Sequence, residues 1–182
     1  VVSAYSYFNV DLAEMERQFR EDLQRSVQPL AMNARLLEAA RLHSLDMYNN
    51  VFQGHESSSN SISPNRPGDT PLIRIARQGY SAQYYAENIF SYSRSVFYGH
   101  AGFNVDWGQG AYGMQNPPGH RETIHNADYY EAGIGIVTGQ NSNGEASVGP
   151  MLVTQDFATE SGGTPFITGV VYGDINSNAF YD

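Results

Sequence analysis

The sequence contains no cysteine among its 182 residues. Disulfide bonds and thiolate metal sites are therefore excluded. No stretch approaches the roughly 18 consecutive apolar residues of a membrane-spanning helix, and no charged-then-apolar signal segment opens the chain. Because the chain begins with Val1 instead of methionine, we expect that a preceding segment was removed.

Basic residues are also scarce. Ten Lys and Arg stand against nineteen Asp and Glu, which gives a formal net charge of -9, and the basic residues are scattered along the chain. The chain therefore lacks the basic patch that binds a nucleic acid backbone, so we expect no nucleic-acid partner, and anionic membranes are equally poor partners. Abundant Tyr, Ser, Asn and Gly without any lysine is typical of an exported bacterial protein. The length fits one domain, with room for a fragment of a second, and suffices to bury a core without a metal.

The first third of the chain predicts helices. Apolar residues recur at helical spacing from Leu12 until Pro29, and a second helix is predicted to begin near Asn33. One stripe of that second helix comprises Leu36, Ala40, His43 and Met47. We therefore expect His43 to be buried, with one hydrogen bond.

The middle and end of the chain predict a short helix and then strands. A polar loop at 57–68 precedes a helix with Thr70 as N-cap and Gly79 after its end. "AGIGIVTG" and "SVGPMLVTQDFA" predict an antiparallel hairpin with a turn at Asn143-Gly144, and "FITGVVY" from Phe166 predicts another strand. Helices first and strands last favour an α+β layered domain over a doubly wound sheet.

Several common catalytic sites are excluded. "HRETIH" contains two histidines, His120 and His125. They lie at positions i and i+5, whereas a zinc-binding pair on a helix needs positions i and i+4. We expect Ile124, which holds that fourth position, to point into the core. No nucleophile elbow, phosphate loop or dinucleotide-binding glycine pattern is present.

A series of ordered motifs nevertheless resembles a known family. The runs "LLEAARLHSLDM", "FQGHES", "GYSAQYYAENIF", "PPGHRETI", "AGIGI" and "VTQDFA", with Trp107 before the fourth, follow one another as in the CAP superfamily of cysteine-rich secretory, antigen 5 and pathogenesis-related proteins. The similarity covers about residues 10 to 158. It implies an α-β-α sandwich with a mainly antiparallel central sheet and a cleft on one side.

The resemblance also implies which residues line that cleft. Two histidines and two glutamates do so in the family, and three of them correspond to His55, Glu87 and His120. Two imidazoles and a carboxylate suit zinc or a similar divalent ion. The alternative is that Glu87 hydrogen-bonds the two rings and fixes the walls of the cleft. Both interpretations stay open at this point.

The fourth cleft position departs from the family. Many members carry a glutamate three residues after the tryptophan, where this chain has Gly110. Asp106 is the candidate substitute. The segment "SVFYGHAGFNVD" replaces the usual helical stretch here, and its His100 is either an additional cleft residue or exposed; we expect it to be exposed.

The last residues resemble a different kind of protein. In "GDINSNAFYD", Asp174, Asn176, Asn178 and Asp182 occupy relative positions 1, 3, 5 and 9, a spacing typical of calcium loops. Together with "FITGVVY", this resembles the start of a calcium-binding β-sandwich repeat of bacterial surface adhesins. We therefore expect a CAP domain at 1–163, and at 164–182 a linker and opening strand that belong to a larger surface or secreted protein.

Two functions from different classes follow. The first is an exported binding module whose cleft, with or without a divalent metal, recognises a small molecule, a lipid or a partner protein. The second is a metal-dependent hydrolase of the protease type, with Glu87 as general base and the two histidines as ligands. A structural role in a surface protein is a third. Loss of the second glutamate favours the binding module over the enzyme.

Overall fold

The computed structural model describes residues 2–22, 24 and 27–169. Six α-helices lie within these ranges, with one short 3₁₀ turn at Ala111–Gly113: α1 Val2–Phe8, α2 Leu12–Asp22, α3 Ala34–Asn50, α4 Pro71–Arg77, α5 Val96–Val105 and α6 Gly119–Ile124. The strands described are β1 Ala31–Met32, β2 Ala82–Ser93, β3 Glu131–Thr138, β4 Asn141–Ser142, β5 Ser147–Val148 and β6 Met151–Glu160.

The central sheet has the strand order β1-β3-β6-β2. β6 pairs antiparallel with both β3 and β2, and the two-residue β1 pairs parallel with β3. The predicted α-β-α sandwich is confirmed, and the short parallel pairing makes its sheet mixed. The predicted hairpin is formed by β3 and β6, while the turn at Asn143-Gly144 joins the small ribbon of β4 and β5 at its tip.

Helix α3 is the main element of one face of the sheet. The side chain of Asn33 caps its start by accepting hydrogen bonds from the backbone amides of Arg35 and Leu36, which are two of the unpaired donors of a helix N-terminus. The helix lies so close to β3 that a Cβ on Gly133 would come within 2.1 Å of the α3 backbone. His43 is fully buried on this helix, as predicted.

Strand β2 forms one edge of the sheet, and its neighbouring residues face different layers. Glu87 contacts His43 of α3 and Arg74 of α4, whereas Asn88 donates to the carbonyl of His120 in α6. This follows from the alternation of side chains along a strand. The layer of α3 and α4 and the layer of α5 and α6 therefore meet at this one strand.

Two segments differ from the sequence-based expectations. The run around His100, expected to lack the family's helix, forms α5. The strand predicted from Phe166 is not formed at 166–169, which are exposed and have no regular structure. The rest of that strand and the predicted calcium residues Asp174, Asn176, Asn178 and Asp182 lie outside the described residues.

Candidate functional site

Glu87 lies at the centre of a buried group of charges on the α3 side of β2. Its Oε1 lies 2.8 Å from Nδ1 of His55, and its Oε2 accepts a 2.5 Å hydrogen bond from Nη2 of Arg74. The Glu87 and Arg74 side chains are 1% and 0% exposed, whereas that of His55 is 55% exposed. Both oxygens of this carboxylate therefore already have a cationic or N–H partner.

Arg74 reaches Glu87 because α4 directs it inward. Pro71 starts this helix, and Arg74 lies one turn later on its buried side next to Ile75. Its Nη1 also donates to the carbonyls of His55 at 2.7 Å and Asp69 at 2.8 Å. The same guanidinium thus neutralises Glu87 and fixes the backbone of the loop that carries His55.

Two further buried groups complete the cluster. Asp156 faces Glu87 across the β2–β6 ladder, is fully buried, and neither of its carboxylate oxygens has a hydrogen-bond partner among the described residues. His43 donates from Nε2 to the carbonyl of Gly54 at 2.8 Å. We refer to His43, His55, Arg74, Glu87 and Asp156 as the charged cluster.

Burial and neighbouring charge set the protonation of the charged cluster. Burial acts to raise the pKa of Glu87, but the hydrogen bond to His55 and the charge of Arg74 outweigh it, so this pKa is lowered. Burial and the charge of Glu87 raise the pKa of Asp156 well above its usual range. Burial lowers the pKa of His43. The cluster therefore favours one anionic carboxylate, Glu87, beside a protonated one and a neutral imidazole.

His120 forms a second histidine–carboxylate pair, on the other side of β2. Its Nδ1 lies 2.7 Å from Oδ1 of the fully buried Asp106. Oδ2 of the same carboxylate accepts from the backbone amide of Arg121 at 3.2 Å. Because an ionised carboxylate only accepts, Nδ1 is the protonated nitrogen and Nε2 is the acceptor in the neutral ring. Asp106, the candidate substitute for the missing glutamate, therefore contacts His120.

The loop that joins α5 to α6 leaves no room for a side chain at Gly110. The amide of Gln115 donates to the carbonyl of Asp106 at 2.7 Å, and Trp107 forms a bridge with Met114, so the loop closes on itself. A Cβ on Gly110 would come within 1.9 Å of the carbonyl oxygen of Met114. No side chain fits at that position in this loop.

His120 also lines an aromatic pocket of about 290 Å³ on the α5 side of the sheet. The residues that form most of its wall are Phe90, Tyr92, Phe103, Trp107, Gln115 and His120. The ring of Phe103 lies 5.4 Å from that of His120, centroid to centroid. We call this site the aromatic pocket.

The predicted cleft residues thus occur as two separate pairs. His55 contacts Glu87, and His120 contacts Asp106, but in the described ranges no hydrogen bond or ion pair joins one pair to the other. Among the residues that the structure describes, no three His, Asp or Glu side chains are arranged to hold a metal ion. Within the described structure, His55, Glu87 and His120 therefore do not form one metal site. His100 is exposed on α5 and does not line the pocket.

Several residues of the site were not identified from the sequence. Arg74 and Asp156 belong to short runs that carry no recognisable chemical motif, although Asp156 lies in the matched "VTQDFA". The pocket residues Tyr92 and Gln115 have no spacing that marks them. One signal for Arg74 was available. It lies about one helical turn after Thr70, the predicted N-cap, so a helix that begins there can place this arginine on its buried face.

Comparison with known proteins identifies the family. The model of the cysteine-rich secretory protein family matches residues 17–157. No curated protein matches the chain. Among solved structures, an extracellular protein containing an SCP domain from Bacillus anthracis is 21% identical, with a TM-score of 0.52 over 72% of this chain and 34% of that one. An outer surface protein from Borrelia burgdorferi is 16% identical, with a TM-score of 0.53 over 84% of this chain and 97% of that one.

The chain spans about a third of the length of the Bacillus anthracis protein. At these identities the two structures support the fold alone. The family match extends over most of the described residues, and it includes both histidine–carboxylate pairs. The chain belongs to the cysteine-rich secretory protein (CAP) family.

Proposed function

We propose that this CAP domain is a binding module whose aromatic pocket, next to His120, takes up a small uncharged molecule. The fixed orientation of the His120 ring supports this proposal most. Asp106 fixes its ring through Nδ1, and Nε2 has no hydrogen-bond partner within the described residues. A fixed polar atom beside apolar walls is the usual composition of a small-molecule site.

The hydrolase alternative receives less support from the geometry. A general base must lie within hydrogen-bond reach of the water or substrate whose proton it accepts, and the Glu87 side chain is only 1% exposed. Glu87 directs one oxygen at His55 and the other at the buried Arg74. Its role in this arrangement is to hold the loop of His55 and to balance the charge of Arg74.

Titration with uncharged ring compounds tests the binding function. Trp107 is the single tryptophan of the chain, so its fluorescence reports on the pocket directly. We expect cyclohexanol and benzamide to shift its emission saturably, and Asp106→Asn to weaken both, because His120 loses the charge that orients it. Absence of any saturable shift in the parent protein would contradict the binding function.

Zinc remains the metal predicted from the resemblance, and its test is independent. If His55 and His120 bind one ion, zinc at a hundredfold over its dissociation constant should stabilise the fold by roughly 2.7 kcal/mol. Because no group of three such ligands is found among the described residues, we expect the opposite result, no stabilisation. The double variant His55→Ala/His120→Ala is the control, because zinc that stabilises it equally is bound elsewhere.

Location outside the cell is part of the same proposal. Within the described residues no helix combines the length and hydrophobicity needed to cross a membrane. The two similar structures are named as an extracellular protein and an outer surface protein. The composition of this chain, which is rich in Tyr, Ser, Asn and Gly and contains no lysine, agrees with export.

The calcium loop at the end of the chain is a separate proposal. It is supported by the spacing of Asp174, Asn176, Asn178 and Asp182 alone. Calcium should bind a chain extended beyond Asp182 more tightly than the 182-residue chain, because the extension can supply an acidic ligand at position 12. Calorimetry that finds micromolar affinity in the shorter chain, lost in Asp174→Ala, would contradict this.

A further inference from the structure

The walls of the aromatic pocket present flat rings to solvent. Tyr92 and Trp107 are each 47% exposed. Phe90 connects them, with ring centroids 6.4 Å from Tyr92 and 6.2 Å from Trp107. Exposed rings joined in this way form a continuous apolar surface, which in a folded domain commonly marks an interaction site.

The polar atoms of the pocket are of both hydrogen-bonding types. Oε1 of Gln53 accepts from the amide of Ser91 at 2.7 Å, which leaves its Nε2 as a donor. Nε2 of Gln115 donates to the carbonyl of Trp107 at 3.3 Å, which leaves its Oε1 as an acceptor. With Nε2 of His120, the pocket residues therefore carry both free donors and free acceptors within the described structure.

The charge of the pocket restricts its ligand further. No Asp, Glu, Lys or Arg side chain in the described part of the chain lines it, and the chain has a net charge of -9. A carboxylate, phosphate or sulfate ligand would find no cationic partner there. The volume of about 290 Å³ is at the lower end of the range for ligand pockets, about 300 to 1,000 Å³, so it suits one ring and not a long chain.

We propose that the aromatic pocket binds an uncharged pyranose sugar, as a single unit of an oligosaccharide. A pyranose has an apolar face of C–H groups that can lie on Tyr92 or Trp107. Hydroxyls surround that face, and each can donate and accept, which matches the mixed donors and acceptors of Gln53, Gln115 and His120. This inference rests on the proposed binding function and assigns its ligand class.

Titration with cellotriose and chitotriose, followed by the fluorescence of Trp107, tests the inference. We expect a saturable change in emission at up to about 10 mM sugar. The variant Tyr92→Ala should weaken the affinity at least about tenfold, since it removes one stacking surface, while Tyr92→Phe should retain it within about threefold.

A matched control lies on the same strand. Tyr84 of β2 is also 47% exposed and does not line the pocket. Tyr84→Ala should therefore leave sugar affinity unchanged. The urea midpoint of each variant shows whether it has folded, and Tyr92→Phe keeps the test valid if Tyr92→Ala does not fold.

Each outcome separates this inference from the proposed function. Sugar binding that Tyr92→Ala weakens and Tyr84→Ala does not supports the inference. If cyclohexanol or benzamide binds and neither sugar does, the sugar inference is overturned and the binding function stands. If no compound binds, both are overturned. Sugar binding equal in the parent and Tyr92→Ala also overturns the inference, because the sugar then occupies another surface.

Discussion

Replacing Arg74 with methionine removes the only guanidinium that contacts the carboxylate of Glu87 within the described residues. Methionine fills a similar volume and carries no charge. Glu87 would then stay buried beside Asp156, with only the hydrogen bond of His55. We expect Arg74→Met to lower the free energy of unfolding markedly at neutral pH.

The magnitude follows from burial. Arg74 and Glu87 are 0% and 1% exposed, so solvent screening does not reduce their interaction appreciably. Removing one partner of a buried ion pair typically costs about 3 to 5 kcal/mol. Two carbonyls, those of His55 and Asp69, also lose their donor. A loss near the upper end of that range is expected.

The effect should depend on pH in a defined direction. In the parent protein the pKa of Glu87 is lowered, so its ionised form stabilises the fold at neutral pH, and this contribution is lost as the pH falls through that pKa. Without Arg74, burial and the neighbouring Asp156 should raise the folded pKa of Glu87 above its unfolded value. The variant should then lose stability as the pH rises, so its deficit should be smaller at about pH 5 than at about pH 7.5.

Urea unfolding followed by Trp107 fluorescence measures the free energy of unfolding of the parent and of Arg74→Met at the two pH values. The double variant Arg74→Met/Glu87→Gln should recover much of the loss at about pH 7.5, because it removes the unpaired charge. A deficit below about 1 kcal/mol at the higher pH, or one that is equal at both pH values, would refute the role assigned to Arg74. Failure of the double variant to recover stability would locate the cost in the lost carbonyl contacts.

Three further predictions concern single residues. His43→Ala should lower the free energy of unfolding by about 1 to 3 kcal/mol. Because burial lowers the pKa of His43, the stability of the parent protein should fall as the pH drops below about 6.5. The stability of this variant should fall less steeply. Gly135→Ala should lower the free energy of unfolding in urea by about 3 kcal/mol or more, because its Cβ would come within 2.3 Å of the α3 backbone. Gly119→Ala is the control. Its Cβ would have no atom within 4 Å, so it should change stability by less than about 0.5 kcal/mol. Asp106→Asn should cost about 1.5 to 3 kcal/mol by weakening the charge-assisted bond to His120, and an unchanged urea midpoint would contradict the buried geometry of that pair.

The sequence predicted elements whose apolar residues are regularly spaced, and it missed elements that depend on packing. Helix α3 was predicted correctly because its buried stripe repeats every three or four residues. Helix α5 was not, since Gly99 and Gly102 weaken helix propensity. Both glycines are needed for packing: a Cβ would come within 2.8 Å of Ser93 at the first and 3.0 Å of Phe8 at the second.

In the candidate site, too, some residues could be predicted from sequence motifs and others could not. His55, Glu87 and His120 lie in short motifs that can be compared along a sequence. Their partners cannot be found that way, because Arg74 contacts Glu87 through the docking of α4, and Asp156 faces it through strand pairing. Which residue neutralises a buried carboxylate is a property of tertiary contacts, and motif spacing carries no information about it.

The meeting of the two layers at β2 makes the register of this edge strand unusually important. A slip of one residue exchanges the faces of all side chains on a strand. It would move Glu87 toward the aromatic pocket and place Asn88 beside Arg74 and Asp156. An unpaired carboxylate would then lie among aromatic rings, and an arginine would lose its counter-ion, so misregistered pairing is penalised on both faces at once. The charges at this edge thus favour the native register of β2 over a register shifted by one residue.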